Sequence, residues 1–100
     1  MNESFYQKVY KIVSQIPKGK VLTYKEVAEL AGSPGAYRAV GSAMRNNPDK
    51  STIPCHRVVG SDGGMHGYAF GGESIKIQML KDEGVKFKSD KVDFELKQKI

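Results

Sequence analysis

The fold of this chain is decided by residues 23–46, which read TYKEVAELAGSPGAYRAVGSAMRN. Thr23 is followed three residues later by Glu26, a capping-box pattern that predicts the start of a short helix. Gly32 is expected to end that helix, because glycine adopts the backbone conformation that commonly closes a helix. The first part of the stretch therefore predicts one short helix, which begins after Thr23 and ends at Gly32.

A second helix is expected to begin at Ser33-Pro34, since proline is favoured at the first helical position, and to end near residues 46–48. Two short helices joined by a tight Gly-Ser-Pro-Gly turn are typical of a helix-turn-helix, although a plain helical hairpin has the same pattern. The composition of the second helix favours the DNA-binding alternative, because small and basic residues allow close approach to a nucleic-acid backbone. Those residues are Arg38, Ala39, Gly41, Ser42 and Ala43.

The rest of the chain adds simpler elements. Residues 3–16 and 73–83 carry apolar side chains at helical spacing and predict two more helices. Residues 85–100 alternate apolar and charged side chains, which predicts a strand and a final helical turn. Residues 60–72 hold six glycines and predict a flexible loop or wing; the Gly-Lys-Ser/Thr ending of a phosphate loop is missing.

Composition and charge narrow the class of protein. One hundred residues, 39% of them hydrophobic and 27% charged, predict a single globular domain over residues 1–100. The net charge of +5 favours a polyanionic partner, with nucleic acid ahead of an anionic membrane. Neither a secretion signal nor a membrane span is expected. A single cysteine points to a reducing cytoplasm, with association to the nucleoid in a prokaryote.

The single cysteine, Cys55, lies in the segment PCHRV at residues 54–58. A thiol attacks only as its thiolate, so a neighbouring base must take the proton. His56 is adjacent, but neighbouring side chains on an extended segment point to opposite sides, so a bridging water or a turn is needed. A third group should orient the imidazole, and Asp82 and Glu83 are both candidates.

Other interpretations of these residues remain open at this point. A lone cysteine in an apolar run is more often buried filler than a nucleophile, and a lone histidine is more often structural than a base. One cysteine and two histidines are too few for a structural zinc site, so neither a metal nor another cofactor is expected.

Residues 53–59, IPCHRVV, resemble the active-site signature of the O6-alkylguanine-DNA alkyltransferases, also called methylated-DNA–protein-cysteine methyltransferases. The resemblance covers roughly residues 4–84 and is specific, because several motifs agree in order and spacing. The further motifs are Lys18-Gly19-Lys20-Val21, Thr23-Tyr24, Arg38-Ala39-Val40-Gly41, Asn47-Pro48, Gly67-Tyr68, Gly71-Gly72 and Glu83-Gly84.

The resemblance implies a mainly α fold with a small β component: a winged helix-turn-helix-like DNA-binding domain that carries the active-site cysteine. It implies a single-turnover DNA repair enzyme, which moves an alkyl group, typically methyl, irreversibly from O6-alkylguanine of a flipped nucleotide to Cys55. The expected partner is double-stranded DNA containing O6-alkylguanine, with other repair proteins as a further partner. A monomer without a cofactor is expected.

Five residues receive catalytic roles by the resemblance. Cys55 is the expected nucleophile. His56 is expected to activate it through a water, and Glu83 to orient His56. Tyr24 is expected to donate a hydrogen bond to the base as it leaves, where negative charge develops. Asn47 is expected to brace the turn before the cysteine.

The resemblance also assigns the DNA and substrate contacts. Arg38 is expected to fill the space that the flipped nucleotide leaves in the stack. The other DNA-contacting residues are expected to be Tyr24, Ala39, Gly41, Ser42 and Arg45. The expected substrate pocket consists of Met44, Val58, Tyr68 and Ala69, with the carbonyls of Cys55 and Val58 accepting from the guanine amine and the Ala69 amide near O6.

Two alternatives to alkyl transfer follow from the same residues. Many family members carry an additional N-terminal domain, and at 100 residues this chain is expected to resemble the shorter alkyltransferase-like proteins in size. Those proteins replace the cysteine and act as lesion sensors that recruit other repair factors, so a non-enzymatic lesion-binding role is the first alternative. A small DNA-binding regulator with a structural cysteine is the second.

Overall fold

The computed structural model describes residues 4–100, so the first residue of the helix predicted over 3–16 lies outside the described residues. Helix α1 spans Phe5–Ser14. Ser4 caps it, because its Oγ accepts from the backbone N–H of Gln7 at 3.1 Å and its own N–H donates to Gln7 Oε1 at 3.0 Å. The predicted first helix is therefore confirmed.

The helix pair consists of α2, Tyr24–Leu30, and α3, Tyr37–Arg45. The predicted capping box is present: Thr23 Oγ1 accepts from the Glu26 N–H at 3.1 Å, and Glu26 Oε1 accepts from the Thr23 N–H at 2.9 Å. The two helices pack against each other and against α1, as a helix-turn-helix requires.

The predicted start of the second helix at Ser33-Pro34 is wrong. The Ser33 N–H donates to the Ala28 carbonyl at 2.9 Å, which is the bond that closes α2 in a Schellman motif. The Ser33 carbonyl accepts from the Ala36 N–H at 2.9 Å, so residues 33–36 form a turn. The N–H and the C=O of Ser33 are therefore both bonded within the connection between the two helices. Helix α3 begins only at Tyr37 and has no side-chain cap.

A short parallel ladder joins the two halves of the chain. Strand β1, Leu22–Thr23, pairs with strand β2, Val58–Val59, with Leu22 opposite Val58. A 3₁₀ turn over Cys55–Arg57 immediately precedes β2, in agreement with the tight turn considered for this segment. The ladder therefore places the start of α2 beside the cysteine turn.

The last part of the chain contains α4, Glu73–Asp82, and a hairpin of β3, Phe87–Lys88, with β4, Lys91–Val92. The predicted helix over 73–83 and the predicted strand are confirmed. The loop 60–72 contains neither helix nor strand.

The predicted final helical turn is wrong. The side chain of Gln98 is buried and bonds the backbone of Lys86 at both N–H and C=O, at 2.6 and 2.9 Å. The Gln98 carbonyl accepts from the Val21 N–H at 2.8 Å. The Gln98 carbonyl is therefore bonded to Val21 and its side chain to Lys86, and residues 93–100 contain no helix.

The ladder separates two apolar cores, since successive strand residues point to opposite faces. The first core lies between α1, α2, α3 and the cysteine turn and includes Leu22, Cys55 and Val58. The second lies between α4, the loop and the hairpin and includes Val21, Val59, Met65, Leu80, Val85 and Val92. Among the described residues, no helix is long and apolar enough to cross a membrane.

Candidate active site

A cleft of about 900 Å³ lies between α3 and the loop 60–69. Its walls also include the start of α2, Cys55 and one lysine of α4, Lys76. The thiol is thus reached from a surface that the second helix of the helix-turn-helix lines. A cleft of this size can hold a base that has left a duplex.

The backbone before the thiol is tightly held. The carbonyl of Ile53 accepts from the Cys55 N–H at 2.8 Å and from Asn47 Nδ2 at 2.8 Å. Asn47 Oδ1 in turn accepts from the Asp49 N–H at 2.9 Å. Asn47 therefore bonds the chain on both sides of the turn that leads to Cys55.

His56 and Arg57 converge on one carboxylate. His56 Nε2 lies 3.0 Å from Glu83 Oε2. Arg57 donates from Nε to Glu83 Oε1 at 2.9 Å and from Nη2 to Oε2 at 2.7 Å, and from Nη1 to the Ile16 carbonyl at 2.7 Å. The side chains of His56, Arg57 and Glu83 are 7%, 12% and 14% exposed. A bidentate, nearly buried pair of this kind holds the carboxylate in one position.

The charge states of this group follow from its burial. Burial lowers the pKa of His56 below its ordinary value, against the opposing effect of Glu83. Burial alone would raise the pKa of Glu83, but the hydrogen bonds from Arg57 and His56 lower it overall. At neutral pH, an ionised Glu83 can only accept, so Nε2 of the neutral imidazole carries the proton. Nδ1 then has no proton and can accept a hydrogen bond.

Glu83 lies at a position where a carboxylate is intrinsically unfavourable. It is the last residue before Gly84, at the C-terminal and negative end of α4. Gly84 has φ of +94°, and the Val85 N–H donates back to the Leu80 carbonyl at 3.0 Å, which closes a Schellman motif. The helix end is thereby fixed, and Arg57 offsets the unfavourable charge. Asp82, the other sequence candidate, accepts from Gln78 instead.

A second titratable pair, Tyr24 and Lys76, lines the cleft together with Cys55. Lys76 is 1% exposed, and its Nζ donates to the Tyr24 hydroxyl at 3.2 Å and to the Met65 carbonyl at 3.0 Å. Burial lowers the pKa of Lys76 to about 8. Burial, and after it the nearby Cys55, raises the pKa of Tyr24 to about 12. Lys76 is therefore the more acidic of the two groups and can return a proton to Tyr24.

Replacing Lys76 with methionine should change how stability depends on pH. The ordinary lysine pKa is 10.5 and the folded value is about 8, so between them the unfolded chain binds more protons. Wild-type stability should therefore rise with pH by about 3 kcal/mol over that interval, and Lys76→Met should lack this rise. Urea unfolding at several pH values measures it, with Lys81→Met, exposed on the same helix, as the control. Equal pH dependence in wild type and Lys76→Met would contradict the buried ammonium.

Helix α3 presents basic and small residues to the cleft. Arg38 and Arg45 are exposed, and Arg45 Nη2 donates to Ser42 Oγ at 3.0 Å. Gly41 lies one turn from Arg45, and a Cβ placed on it would lie 3.6 Å from Arg45 Nη1. This face of α3 therefore has no side chain at Gly41, near its centre, and a positive charge at each end.

Most of the residues assigned from the sequence meet around this cleft. The lining residues among them are Tyr24, Arg38, Gly41, Ser42, Met44, Arg45, Cys55, Tyr68 and Ala69. His56, Glu83 and Asn47 are outside the cleft lining, and their hydrogen bonds fix the groups next to Cys55. Ala39 is half-buried and outside the cleft lining. The Val58 side chain is completely buried in the first core and does not line the cleft.

Several residues of the site are absent from the sequence assignments, among them Arg57, Asp62, His66 and Lys76. Lys76 could have been found, because it lies four residues before the apolar Leu80 and seven before Glu83, on one face of a helix. Arg57 carried no such signal. Asp62 and His66 sit in the glycine-rich loop, where no periodicity applies. Over residues 4–100, no group of three or more His, Cys, Asp or Glu side chains is placed to hold a metal ion.

Comparison with known proteins gives a consistent result. Residues 4–85 match the family model described as "6-O-methylguanine DNA methyltransferase, DNA binding domain". Relatives named methylated-DNA–protein-cysteine methyltransferase include that of Methanosarcina barkeri, 52% identical over 79 residues, and that of Homo sapiens, 47% identical over 83. The matches cover 79% and 82% of this chain. The chain spans only 49% and 40% of the length of these two relatives.

Two solved structures show the same fold. S. pombe Atl1, in complex with damaged DNA containing O6-carboxymethylguanine, is 34% identical with a TM-score of 0.80, covering 95% of this chain and 94% of that one. Mycobacterium tuberculosis OGT in complex with DNA is 42% identical with a TM-score of 0.76, covering 83% and 50%. Both similar structures hold DNA.

Proposed function

The chain belongs to the 6-O-methylguanine DNA methyltransferase family through its DNA-binding domain, and we propose that it repairs DNA by moving an alkyl group from guanine O6 to Cys55. The observation that carries this proposal is the position of the Cys55 thiol, in the wall of a cleft that α3 also lines. A buried structural cysteine would not need an oriented, neutral imidazole and a positioned phenol beside it. The unit that acts is proposed to be one copy of residues 1–100.

The transfer is a displacement at the alkyl carbon. A water between the thiol and His56 relays the thiol proton to the imidazole Nδ1, and the Cys55 sulfur attacks the carbon as the bond from carbon to O6 breaks. The electron pair of that bond remains on guanine, which takes up a proton from the Tyr24 hydroxyl. Lys76 then returns a proton to Tyr24, because its pKa of about 8 lies below the value of about 12 for the phenol. The thioether is stable, so each molecule acts once.

The substrate must leave the duplex before this step. A base inside the stack hides O6, and extruding the nucleotide costs a few kcal/mol. Phosphate contacts from the positive face of α3 can offset this cost. Arg38, exposed at the start of α3, is proposed to fill the vacated space. We propose that the protein is cytoplasmic and, in a prokaryote, associated with the nucleoid.

Arg38→Ala should slow transfer by weakening nucleotide flipping. Stacking contacts of this kind are worth roughly 1–3 kcal/mol, so we expect about a 5- to 100-fold lower second-order transfer rate constant. A 2-aminopurine placed next to the lesion reports the loss of stacking directly. The control is Lys8→Ala, which removes one positive charge from α1, outside the cleft. Equal rates for the two variants would remove Arg38 from the flipping step.

A lesion-binding role without transfer is the second candidate. It is supported by the fit to S. pombe Atl1 over nearly the whole of both chains. The oriented thiol favours transfer, because binding alone needs neither Cys55 as a nucleophile nor the carboxylate behind His56. The two candidates share the cleft and the recognition helix.

The proposed function is tested by incubating the protein with a duplex that contains O6-methylguanine and measuring its mass. A gain of one methyl group, located on Cys55 by peptide mapping, is expected. Tight, lesion-selective binding without a mass gain would favour the lesion-binding role. Binding without preference for the lesion would favour a DNA-binding regulator.

A further inference from the structure

The C-terminal hairpin lies beyond the matched family region, which ends at residue 85, yet it contacts the loop that forms one wall of the cleft. The Val92 N–H, in β4, donates to the Gly63 carbonyl at 2.9 Å. Gly63 is buried, with φ of +83°, and a Cβ there would lie 2.7 Å from the Val92 carbonyl oxygen. The loop and the hairpin therefore touch backbone to backbone, at a point where only glycine fits.

The side chains of Lys91, Asp62 and His66 form a series of contacts that leads from the hairpin to the cleft. Lys91 Nζ lies 3.4 Å from Asp62 Oδ2. The other oxygen, Asp62 Oδ1, accepts from the Gly64 N–H at 2.8 Å and lies 3.0 Å from His66 Nε2. Asp62 and His66 both line the cleft. One carboxylate thus connects the hairpin to the imidazole at the mouth of the cleft.

The loop contains an uncommon backbone conformation. His66 has φ of +53°, a left-handed backbone that is unfavourable for a residue with a side chain. Its ring lies directly over Gly60, in space that a Cβ at that position would occupy. Met65, next to His66, is buried in the second core with Val92, and its carbonyl accepts from Lys76. The position of the loop therefore also sets the position of Lys76.

We propose that the C-terminal hairpin positions the cleft wall for the substrate, with Val92 acting through Gly63 and Lys91 acting through Asp62 on His66. Both are positioning residues, since neither lines the cleft. The loop faces α3, so its distance from α3 sets the width available to the flipped base. This proposal rests on the proposed transfer to Cys55.

Gly63→Ala tests the backbone contact, with Gly32→Ala as the control. Both glycines have positive φ, +83° and +84°, but a Cβ at Gly32 meets nothing within 4 Å. We expect Gly63→Ala to lower the transfer rate constant at saturating lesion DNA about 10- to 100-fold, while affinity for unmodified duplex is retained. Gly32→Ala should show a smaller fall in Tm, caused by the positive φ alone, with a wild-type rate constant. Equal rate constants for the two variants would overturn the Val92 contact as a positioning device.

Substitutions of Lys91 test the series of charged contacts from Lys91 through Asp62 to His66. They should leave the fold intact, because the side chains of Lys91 and Asp62 are 58% and 51% exposed. Lys91→Ala should lower the saturated rate constant about two- to fivefold, as expected of an exposed ion pair, and Lys91→Arg should restore it. The ring proton signals of His66 in NMR spectra should shift in Lys91→Ala and return in Lys91→Arg. Unchanged rates and unchanged His66 signals in Lys91→Ala would overturn the proposed action of Lys91 on His66.

The two proposals fail in different ways. If wild type gains no methyl group, the proposed function fails, while the His66 signals still decide whether Lys91 acts on the loop. If wild type gains the methyl group and the Gly63 and Lys91 variants transfer at wild-type rates, only the hairpin proposal fails.

Discussion

Cys55→Ala should show no gain in mass after incubation with an O6-methylguanine duplex, while its affinity for that duplex stays close to wild type. Cys55 is the only cysteine among the 100 residues, so the substitution removes the only thiol that can accept the alkyl group. The residues of α3 that are proposed to contact DNA do not depend on the sulfur. Mass spectrometry and a binding titration on the same sample measure both quantities.

Cys55→Ser is the matched control, because it keeps a hydrogen-bonding side chain of similar size but a far weaker nucleophile. It should bind as wild type does and transfer at a rate reduced by several orders of magnitude. A methyl group found on another residue of Cys55→Ala would show that the acceptor is not Cys55.

Glu83→Gln should impair both stability and transfer. The carboxylate accepts two hydrogen bonds from Arg57 and one from His56, and its loss leaves a nearly buried guanidinium without its counter-charge. Breaking one side of such a pair costs about 3–5 kcal/mol. The imidazole also loses the group that fixes its tautomer, so we expect a transfer rate about 10²-fold lower, as for loss of general-base catalysis.

The pH dependence of stability gives an independent measurement. The pKa of Glu83 is lowered in the folded protein from its ordinary 4.5, so its stabilising effect is present above that pH. The effect is lost as pH falls through the lower, folded value. Wild type should therefore lose stability below about pH 4.5 more steeply than Glu83→Gln.

Asp82→Asn is the control for the Glu83 substitution. It removes a charge one residue earlier on the same helix end, from a side chain that is exposed and accepts from Gln78. Little change in the rate of transfer is expected. If Asp82→Asn and Glu83→Gln behaved alike, the orienting role of Glu83 would be wrong, and a general effect of charge at the helix end would explain both.

Local patterns made much of this structure predictable. The capping box at Thr23 and the glycine stop at Gly32 depend only on residues a few positions apart, and both are present as expected. The family motifs located the cysteine turn and Glu83. The start of α3 was misjudged because Ser33 takes part in a motif of the preceding helix, which competes with the start signal of Ser33-Pro34.

The remaining differences come from contacts between distant parts of the chain. Lys76 lies on the face of α4 that also carries Leu80, but only the packing of α4 against α2 and the loop buries it beside Tyr24. Arg57 acquires its role from Glu83, which is 26 residues away. The C-terminal segment forms no helix because Val21, far earlier in the chain, takes its backbone carbonyl. No local pattern contains these partners.

The short parallel ladder has a consequence for how the chain folds. The helix pair α2–α3 is built from neighbouring residues, whereas pairing Leu22 with Val58 must close a loop of more than thirty residues. Local contacts form quickly and distant ones slowly, so the DNA-binding helices should be acquired before the nucleophile meets its partners. A partly folded chain would then dock on DNA without reacting with it. Catalytic competence would be the last property to appear during refolding and the first to be lost during unfolding.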